Sequence, residues 1–265
     1  IVVSAIGRQG GKAMQLIIVK NKEIASGIWQ MDMTGEFPYS QVQAGQFINI
    51  RVGEGLEHVL RRPISIAEVN LEQSLLTIVF RVVGEGTEWL AQQSAGTVLD
   101  ILGPLGNGFK PVTSKGSLIV GGGIGIPPLY ELAKRLAAKG EVLDIFLGFR
   151  RADEVFWEER FAKYGNVQIY TEDGGLGTKG FVTLGMASGL QENPHSWDNV
   201  YACGPRGMLK AVQDLIADLP IGGGVSLEER MACGVGACYG CTCDNTAEES
   251  KRICVDGPVF SWQEV

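Results

Sequence analysis

A multi-domain chain combining β and α/β architecture is predicted: an antiparallel β-barrel, a doubly wound parallel α/β module and a small cysteine-rich C-terminal domain, over residues 1–112, 113–221 and 222–265. Three observations carry this. The first hundred or so residues hold short β-branched runs separated by turn residues, the pattern of an antiparallel barrel or sandwich. Beyond Gly103-Pro104-Leu105-Gly106-Asn107-Gly108 strands alternate with helices of about ten residues, which predicts a parallel sheet covered on both faces. Five of the six cysteines fall between Cys233 and Cys254. A length of 265 residues accommodates two ordinary domains and a small appendage.

In the first part, strands are predicted at 14–20, 28–33, 46–52, 75–83 and 98–102, with one helix at 88–93 capped by Thr87. In the second, strands at 117–120, 143–147, 167–170 and 199–203 alternate with helices at 127–138, 154–164 and 208–217. Pro220-Ile221-Gly222-Gly223-Gly224 reads as a flexible joint. The residues after it carry too few aliphatic side chains to fold by burial alone, a deficit that a metal centre would fill. Glycine, 37 of 265 residues, is roughly twice as frequent as usual and has no triplet period, so the excess belongs to turns and close backbone approaches.

The balance of 30 acidic against 23 basic residues, a net charge of -7, argues against nucleic acid, whose binders carry a basic stripe. No apolar run approaches the roughly 18 residues that span a bilayer, so no membrane segment is expected. Residues 1–11 lack a charged-then-apolar leader and read as a trimmed or irregular terminus. Crowded cysteines are unlike a disulfide framework, and a cytoplasmic protein with a metal centre is expected.

The strongest motif is Cys233-Gly234-Val235-Gly236-Ala237-Cys238-Tyr239-Gly240-Cys241, with Cys254 following after twelve intervening residues. This Cys-x4-Cys-x2-Cys…Cys spacing is that of plant-type [2Fe-2S] ferredoxins, and the glycines let the backbone approach the sulfurs with its N–H groups. Four thiolates also suit zinc, although zinc ribbons use two Cys-x2-Cys knuckles and here only Cys238 and Cys241 form one. Cys243 is a spare thiol.

Gly121-Gly122-Gly123-Ile124-Gly125-Ile126-Pro127-Pro128 joins a strand to a helix. It departs from the G-x-G-x-x-G dinucleotide fingerprint but keeps its physics, small residues beside a helix N-terminus where a pyrophosphate can meet backbone N–H groups. A tight turn without a ligand is the plain alternative. Cys203-Gly204-Pro205 ends another strand in the same way, and both turns would border one crevice at the carboxyl ends of the sheet. In the barrel, Arg62-Pro63-Ile64-Ser65 reads as an extended segment that offers a charged fork and a hydroxyl, Arg61 is expected to be exposed, and Gly84-Glu85-Gly86-Thr87 opens the short helix as a second phosphate seat. His58 and His195 accompany no nucleophile or carboxylate motif, so no hydrolytic machinery is expected.

These motifs in this order, Arg62–Ser65, then the glycine turn with Cys203-Gly204-Pro205, then the cysteine cluster, resemble the electron-transfer subunits of NAD-linked (class B) dihydroorotate dehydrogenases, within the ferredoxin reductase superfamily. The resemblance implies a barrel holding FAD, an α/β module for NAD and a terminal [2Fe-2S] domain. It implies flavin contacts at Arg62, Pro63, Ile64, Ser65, Val79, Phe80, Arg81, Gly86 and Thr87, while the two turns, read from their own residues, place nucleotide contacts at Gly121, Gly122, Gly123, Gly125, Cys203, Gly204 and Pro205. It implies cluster ligands Cys233, Cys238, Cys241 and Cys254, with Cys243 as the substitute for the last. It further implies an FMN-containing catalytic partner subunit in a heterotetramer of two copies of each, and electron flow from dihydroorotate through FMN, cluster and FAD to NAD+. In the similar small subunit of NADH-dependent ferredoxin:NADP oxidoreductases the first ligand is typically Asp, whereas this chain has Cys233. The two carboxylates of Thr171-Glu172-Asp173-Gly174 would repel a 2'-phosphate and favour NAD, with Arg150 and Arg151 acting the other way. A reductase serving a ferredoxin, hydrogenase or sulfur-linked partner, and a non-catalytic iron-sulfur redox sensor, are the other readings.

Overall fold

The structure, a computed structural model, describes residues 13–53, 58–112, 114–243 and 250–265; the reading of 1–11 as an irregular terminus falls outside them. The chain forms two compact units, Ile1–Gly108 with Glu228–Val259, and Phe109–Leu227 with Phe260–Val265.

The first unit is built on a closed antiparallel barrel of six strands, ordered β1-β2-β5-β4-β3-β6. The strands are β1 (Ala13–Ala25), β2 (Ile28–Gly35), β3 (Phe47–Ile50), β4 (Arg62–Asn70), β5 (Leu75–Arg81) and β6 (Val98–Leu105). Alternation sends one face of each inward: Leu16, Met31, Met33, Ile48, Ile50, Leu76, Ile78, Phe80 and Ile101 form a single apolar core. Closure removes the exposed edges that an open sheet of this size would present. β4 is the sixth strand, and only its opening residues, Arg62–Ser65, read as extended beforehand; the helical-looking mix Ile66-Ala67-Glu68-Val69 concealed the rest.

The short helix, α1 (Glu85–Ala91), begins earlier than expected. Thr87 lies inside its first turn rather than at the cap, and reaches back: its Oγ1 accepts the N–H groups of Val83 (2.9 Å) and Gly84 (3.2 Å). Asn21 closes the other end, its amide donating to the carbonyls of Leu90, Ala91 and Gln93 at 2.9–3.1 Å.

The second unit holds the parallel sheet that the strand-helix alternation predicts. Its strands are β7 (Gly116–Gly122), β8 (Val142–Phe149), β9 (Asn166–Thr171), β10 (Thr178–Lys179), β11 (Asn199–Cys203) and β12 (Gly222–Ser226), with helices α2 (Pro127–Ala138), α3 (Glu158–Phe161), α4 (Thr183–Glu192) and α5 (Arg206–Ile216). The order β10-β9-β8-β7-β11-β12 reverses direction between β7 and β11. One face packs Leu118, Val120, Phe146, Val200 and Ala202 against α4 and α5; α2 covers β7, β8 and β11 from the other.

Three expectations are corrected here. The helix at 154–164 is a 3-10 turn at Ala152–Glu154 followed by the single turn α3, because Trp157 sits in the left-handed region at φ 63° and interrupts it. Gly222–Gly224 is no joint: it starts β12, pairing in parallel with Asn199–Tyr201. There Gly223 adopts φ +106° with the Val200 carbonyl 2.1 Å from where a Cβ would stand, so glycine serves a close approach rather than flexibility. The helix at 208–217 starts two residues earlier, at Arg206. In the C-terminal part, β13 (Thr242–Cys243) pairs antiparallel with β14 (Lys251–Arg252), and β15 (Val259–Phe260) precedes a last turn at Trp262–Glu264. No helix among the described residues is long and apolar enough to cross a membrane.

Candidate functional site

The cysteine loop is held by its own backbone. Val235 N–H points to Cys233 Sγ at 3.5 Å, Gly236 N–H to Cys254 Sγ at 3.2 Å, Gly240 N–H to Cys238 Sγ at 3.4 Å and Cys254 N–H to Cys241 Sγ at 3.4 Å. All four expected ligands thus receive an N–H, the arrangement that steadies thiolates around an iron-sulfur centre. Among the described residues no three His, Cys, Asp or Glu side chains stand in metal-ligand geometry. As free thiols they associate in pairs instead: the Cys238 side chain hydrogen-bonds Cys233, and Cys241 hydrogen-bonds Cys254.

Their electrostatics differ. Burial pushes the Cys233 thiol up, but the N–H groups of Val235, Cys238 and Ala237 and the Cys238 side chain outweigh it and bring it down to about 7. Burial and then the neighbouring Cys241 push Cys254 up to about 12. Cys243 lies on β13, opposite Lys251, while Cys254 meets the loop.

Residues that sequence reasoning passed over hold this loop in place. Arg252 donates from Nη1 to the Gly236 carbonyl (3.0 Å), pairs with Asp256 (3.3 Å) and lies 5.0 Å above the Tyr239 ring. Asn107 Nδ2 donates to the carbonyls of Val255 and Asp256, both at 3.0 Å, so the turn Gly103–Gly108 anchors the C-terminal segment to the barrel. Asn49, on β3, is fully buried beneath Gly234. Their partners lie up to 185 positions away, a distance no local pattern encodes.

On the barrel, Arg62–Ser65 are half-buried along β4. The Arg62 guanidinium occupies the space above Gly86, where a Cβ would stand 2.4 Å from its Nε, and its Nη1 donates to the Leu60 carbonyl at 2.5 Å. Gly86 therefore leaves room for Arg62, and the two stretches, 24 positions apart, meet. On β5, Phe80 belongs to the barrel core and Val79 is buried, both pairing with β2, whereas Arg81 is half-exposed. Arg61, expected exposed, is half-buried and pairs with Asp100 at 2.9 Å.

In the sheet, Cys203 and Gly121 are register partners at the carboxyl ends of β11 and β7, on either side of the switch in strand order. The two turns pack backbone on backbone: a Cβ on Gly125 would stand 2.6 Å from the Cys203 carbonyl and the Gly204 nitrogen, and one on Gly204 would stand 3.0 Å from the Gly122 nitrogen. A Cβ on Gly122 would meet Pro205 at 2.9 Å. Gly123, at φ +52°, has nothing within 4 Å of its Cβ position and precedes the N-terminus of α2, which has Pro127 in its first turn. Cys203 is 1% exposed, a packed strand-end thiol. Beside the ends of β8 and β9, Arg151 pairs with Asp153, and Asp173 accepts N–H groups from Gly175 (3.0 Å) and Ala152 (3.2 Å), which hold its carboxyl below the usual range.

Residues 228–265 match the iron-sulfur cluster binding domain of dihydroorotate dehydrogenase B, and residues 119–214 match the oxidoreductase NAD-binding domain. The dihydroorotate dehydrogenase B (NAD(+)) electron transfer subunit of Bacillus pumilus is 46% identical over 96% of this chain and 98% of its own length. The subunit of the same name from Fusobacterium nucleatum is 45% identical over 92% and 94%. Among solved structures, an NADH-dependent reduced ferredoxin-NADP oxidoreductase studied for flavin-based electron bifurcation superposes with a TM-score of 0.84 at 29% identity, over 97% of this chain and 91% of that one. Phthalate dioxygenase reductase shares the fold, with a TM-score of 0.66 at 19% identity over 88% and 87%.

Proposed function

The chain belongs to the dihydroorotate dehydrogenase B (NAD+) electron transfer subunits, and on that premise we propose that it is the oxidoreductase subunit linking dihydroorotate oxidation to NAD+ in pyrimidine biosynthesis. When bound, the cofactors would supply the redox chemistry, the [2Fe-2S] cluster carrying electrons singly between the FMN of a catalytic partner and FAD, and the flavin collecting two for hydride delivery to NAD+. This chain's residues bind and space those groups. Cys233, Cys238, Cys241 and Cys254 hold the cluster, and the N–H groups aimed at their sulfurs support that assignment. Arg62, Pro63, Ile64, Ser65, Gly86 and Thr87 hold FAD together with the Val79–Arg81 stretch, Arg62 presenting its charge over the space that Gly86 leaves. Gly121, Gly122, Gly123 and Gly125, with Cys203, Gly204 and Pro205, receive the NAD pyrophosphate, and Glu172 and Asp173 disfavour a 2'-phosphate.

The three functional regions are 1–112 for FAD, 113–221 for NAD and 222–265 for the cluster. The assembly is a cytoplasmic heterotetramer with two copies of each subunit. The backbone N–H groups aimed at all four cysteine sulfurs carry this reading.

The test is co-purification with an FMN protein, followed by NAD+ reduction driven by dihydroorotate. Flavin and [2Fe-2S] absorbance with dihydroorotate-dependent NADH formation is expected. A complex that carries both chromophores and ignores dihydroorotate would overturn the pyrimidine assignment; a chain with no flavin band would overturn the enzyme reading altogether.

A further inference from the structure

Asn49 is the third residue of β3. Its neighbours Ile48 and Ile50 point into the barrel core, so Asn49 projects from the outer face. It is nonetheless 0% exposed, because the cysteine loop lies over it: a Cβ on Gly234 would stand 2.5 Å from its Nδ2. Gly234 directly follows Cys233 and holds φ +69°. Neither Nδ2 nor Oδ1 of Asn49 has a hydrogen-bond partner among the described residues. Leaving a buried amide unmatched is strongly unfavourable, and leucine, similar in size, would avoid the penalty. An unmatched buried amide calls for an explanation, and a bound group within its reach supplies one.

The surroundings limit what that is. The register partner of Asn49 on β4 is Pro63, inside the flavin stretch, and the group against its amide nitrogen is the first turn of the cysteine loop. We infer that Asn49 donates a hydrogen bond to the sulfur framework of the [2Fe-2S] cluster on the Cys233 side, and thereby sets the cluster's reduction potential; the inference rests on the cluster reading above. A neutral N–H donor favours the more negative, reduced state of a sulfur-bound centre and raises its potential. Asn49 thus does for the cluster, from the barrel, what the N–H groups of Val235, Gly236 and Gly240 do from the loop. Gly234 has to be glycine so that the amide can reach that side of the loop.

The test is a redox titration of the full chain, loaded with flavin and cluster, followed by the cluster's EPR signal and the flavin's absorbance. Asn49→Leu is expected to retain wild-type iron and flavin, to melt no lower than wild type, and to shift the cluster's one-electron equilibrium about tenfold toward the oxidised form, a potential about 59 mV lower. Asn49→Asp, of the same shape but bearing acceptors, is expected to lower it further. A cluster potential unmoved in Asn49→Leu would show that the amide is merely a tolerated burial, and a shift of the flavin alone would assign it to the flavin; either overturns the inference. Should Asn49→Leu lose its cluster, Asn49→Ala, which removes the amide without adding branched bulk, is titrated in its place and read the same way. A wild-type chain without a [2Fe-2S] signal would overturn the functional reading itself, whereas a normal wild-type signal with unmoved variants overturns this inference alone.

Discussion

Single side chains separate what holds a cofactor from what only surrounds one. Cys233→Ser, Cys238→Ser, Cys241→Ser and Cys254→Ser should each abolish the [2Fe-2S] absorbance and bring iron per chain close to zero, while Cys243→Ser, on β13, should leave both unchanged. Iron and sulfide analysis of purified variants checks this. A cluster retained in Cys254→Ser and lost in Cys243→Ser would exchange the two assignments. The cysteines were legible because their spacing is a local feature of the chain. Arg62 was legible as a charged fork on an extended segment, but its seat over Gly86 was not. Arg62→Ala should weaken flavin retention roughly ten- to a hundredfold, the worth of a charge-assisted hydrogen bond of about 1.5–3 kcal/mol, with little change in the barrel's far-ultraviolet dichroism. Equilibrium dialysis against free FAD measures it.

Whole elements depend on where glycine has been kept. At the strand-to-helix turns, backbone meets backbone, so added bulk has no flexible side chain to push aside. Gly125→Ala would set a methyl 2.6 Å from the Cys203 carbonyl and the Gly204 nitrogen, and is expected to cost about 1–3 kcal/mol and lower the melting temperature by several degrees. It should also raise the KM for NAD+, because the two turns are forced apart, while the [2Fe-2S] spectrum stays intact. A variant as stable as wild type with unchanged KM would remove these turns from the nucleotide site. The same glycine chemistry misled at β12, where three glycines in a row suggested a joint although Gly223 accommodates the Val200 carbonyl within a parallel strand. Composition is alike in the two cases; only the neighbouring strand distinguishes them. The region 154–164 failed as a helix for a reason equally invisible locally, since Trp157 packs 5.0 Å from Tyr130 with Arg160 stacked on both rings, and takes a left-handed backbone there.

Across the whole molecule, the segment Glu228–Val259 is the part least able to stand on hydrophobic burial. Ile253 is its one fully buried branched aliphatic side chain among the described residues, accompanied by the thiols Cys241 and Cys254. Iron bound to the thiolates would therefore supply most of the segment's stability. Removing it with a chelator under reducing conditions should open this segment to protease while the core of the parallel sheet, Leu118, Val120, Val200 and Ala202, stays protected. Limited proteolysis read by mass spectrometry checks the expectation, and equal resistance with and without iron would contradict it.

Some properties depend on residues close together in the chain, and these the sequence determined by itself: the barrel's alternating strands, the strand-helix repeat of the sheet, the glycine turns and the cysteine spacing. Each is a periodicity or a short motif, encoded within a few turns of backbone. Properties that arise where distant segments meet were decided by the tertiary structure. Closure of the barrel made β4 a full strand, and parallel pairing turned three glycines into β12. Folding of Glu228–Val259 onto the barrel buried Asn49 against Gly234, 185 positions away, and brought Arg252 to the Gly236 carbonyl. A polar side chain on the outer face of a strand looks solvated until the segment that covers it is in place, so the residue inferred to tune the cluster had no signature in the sequence.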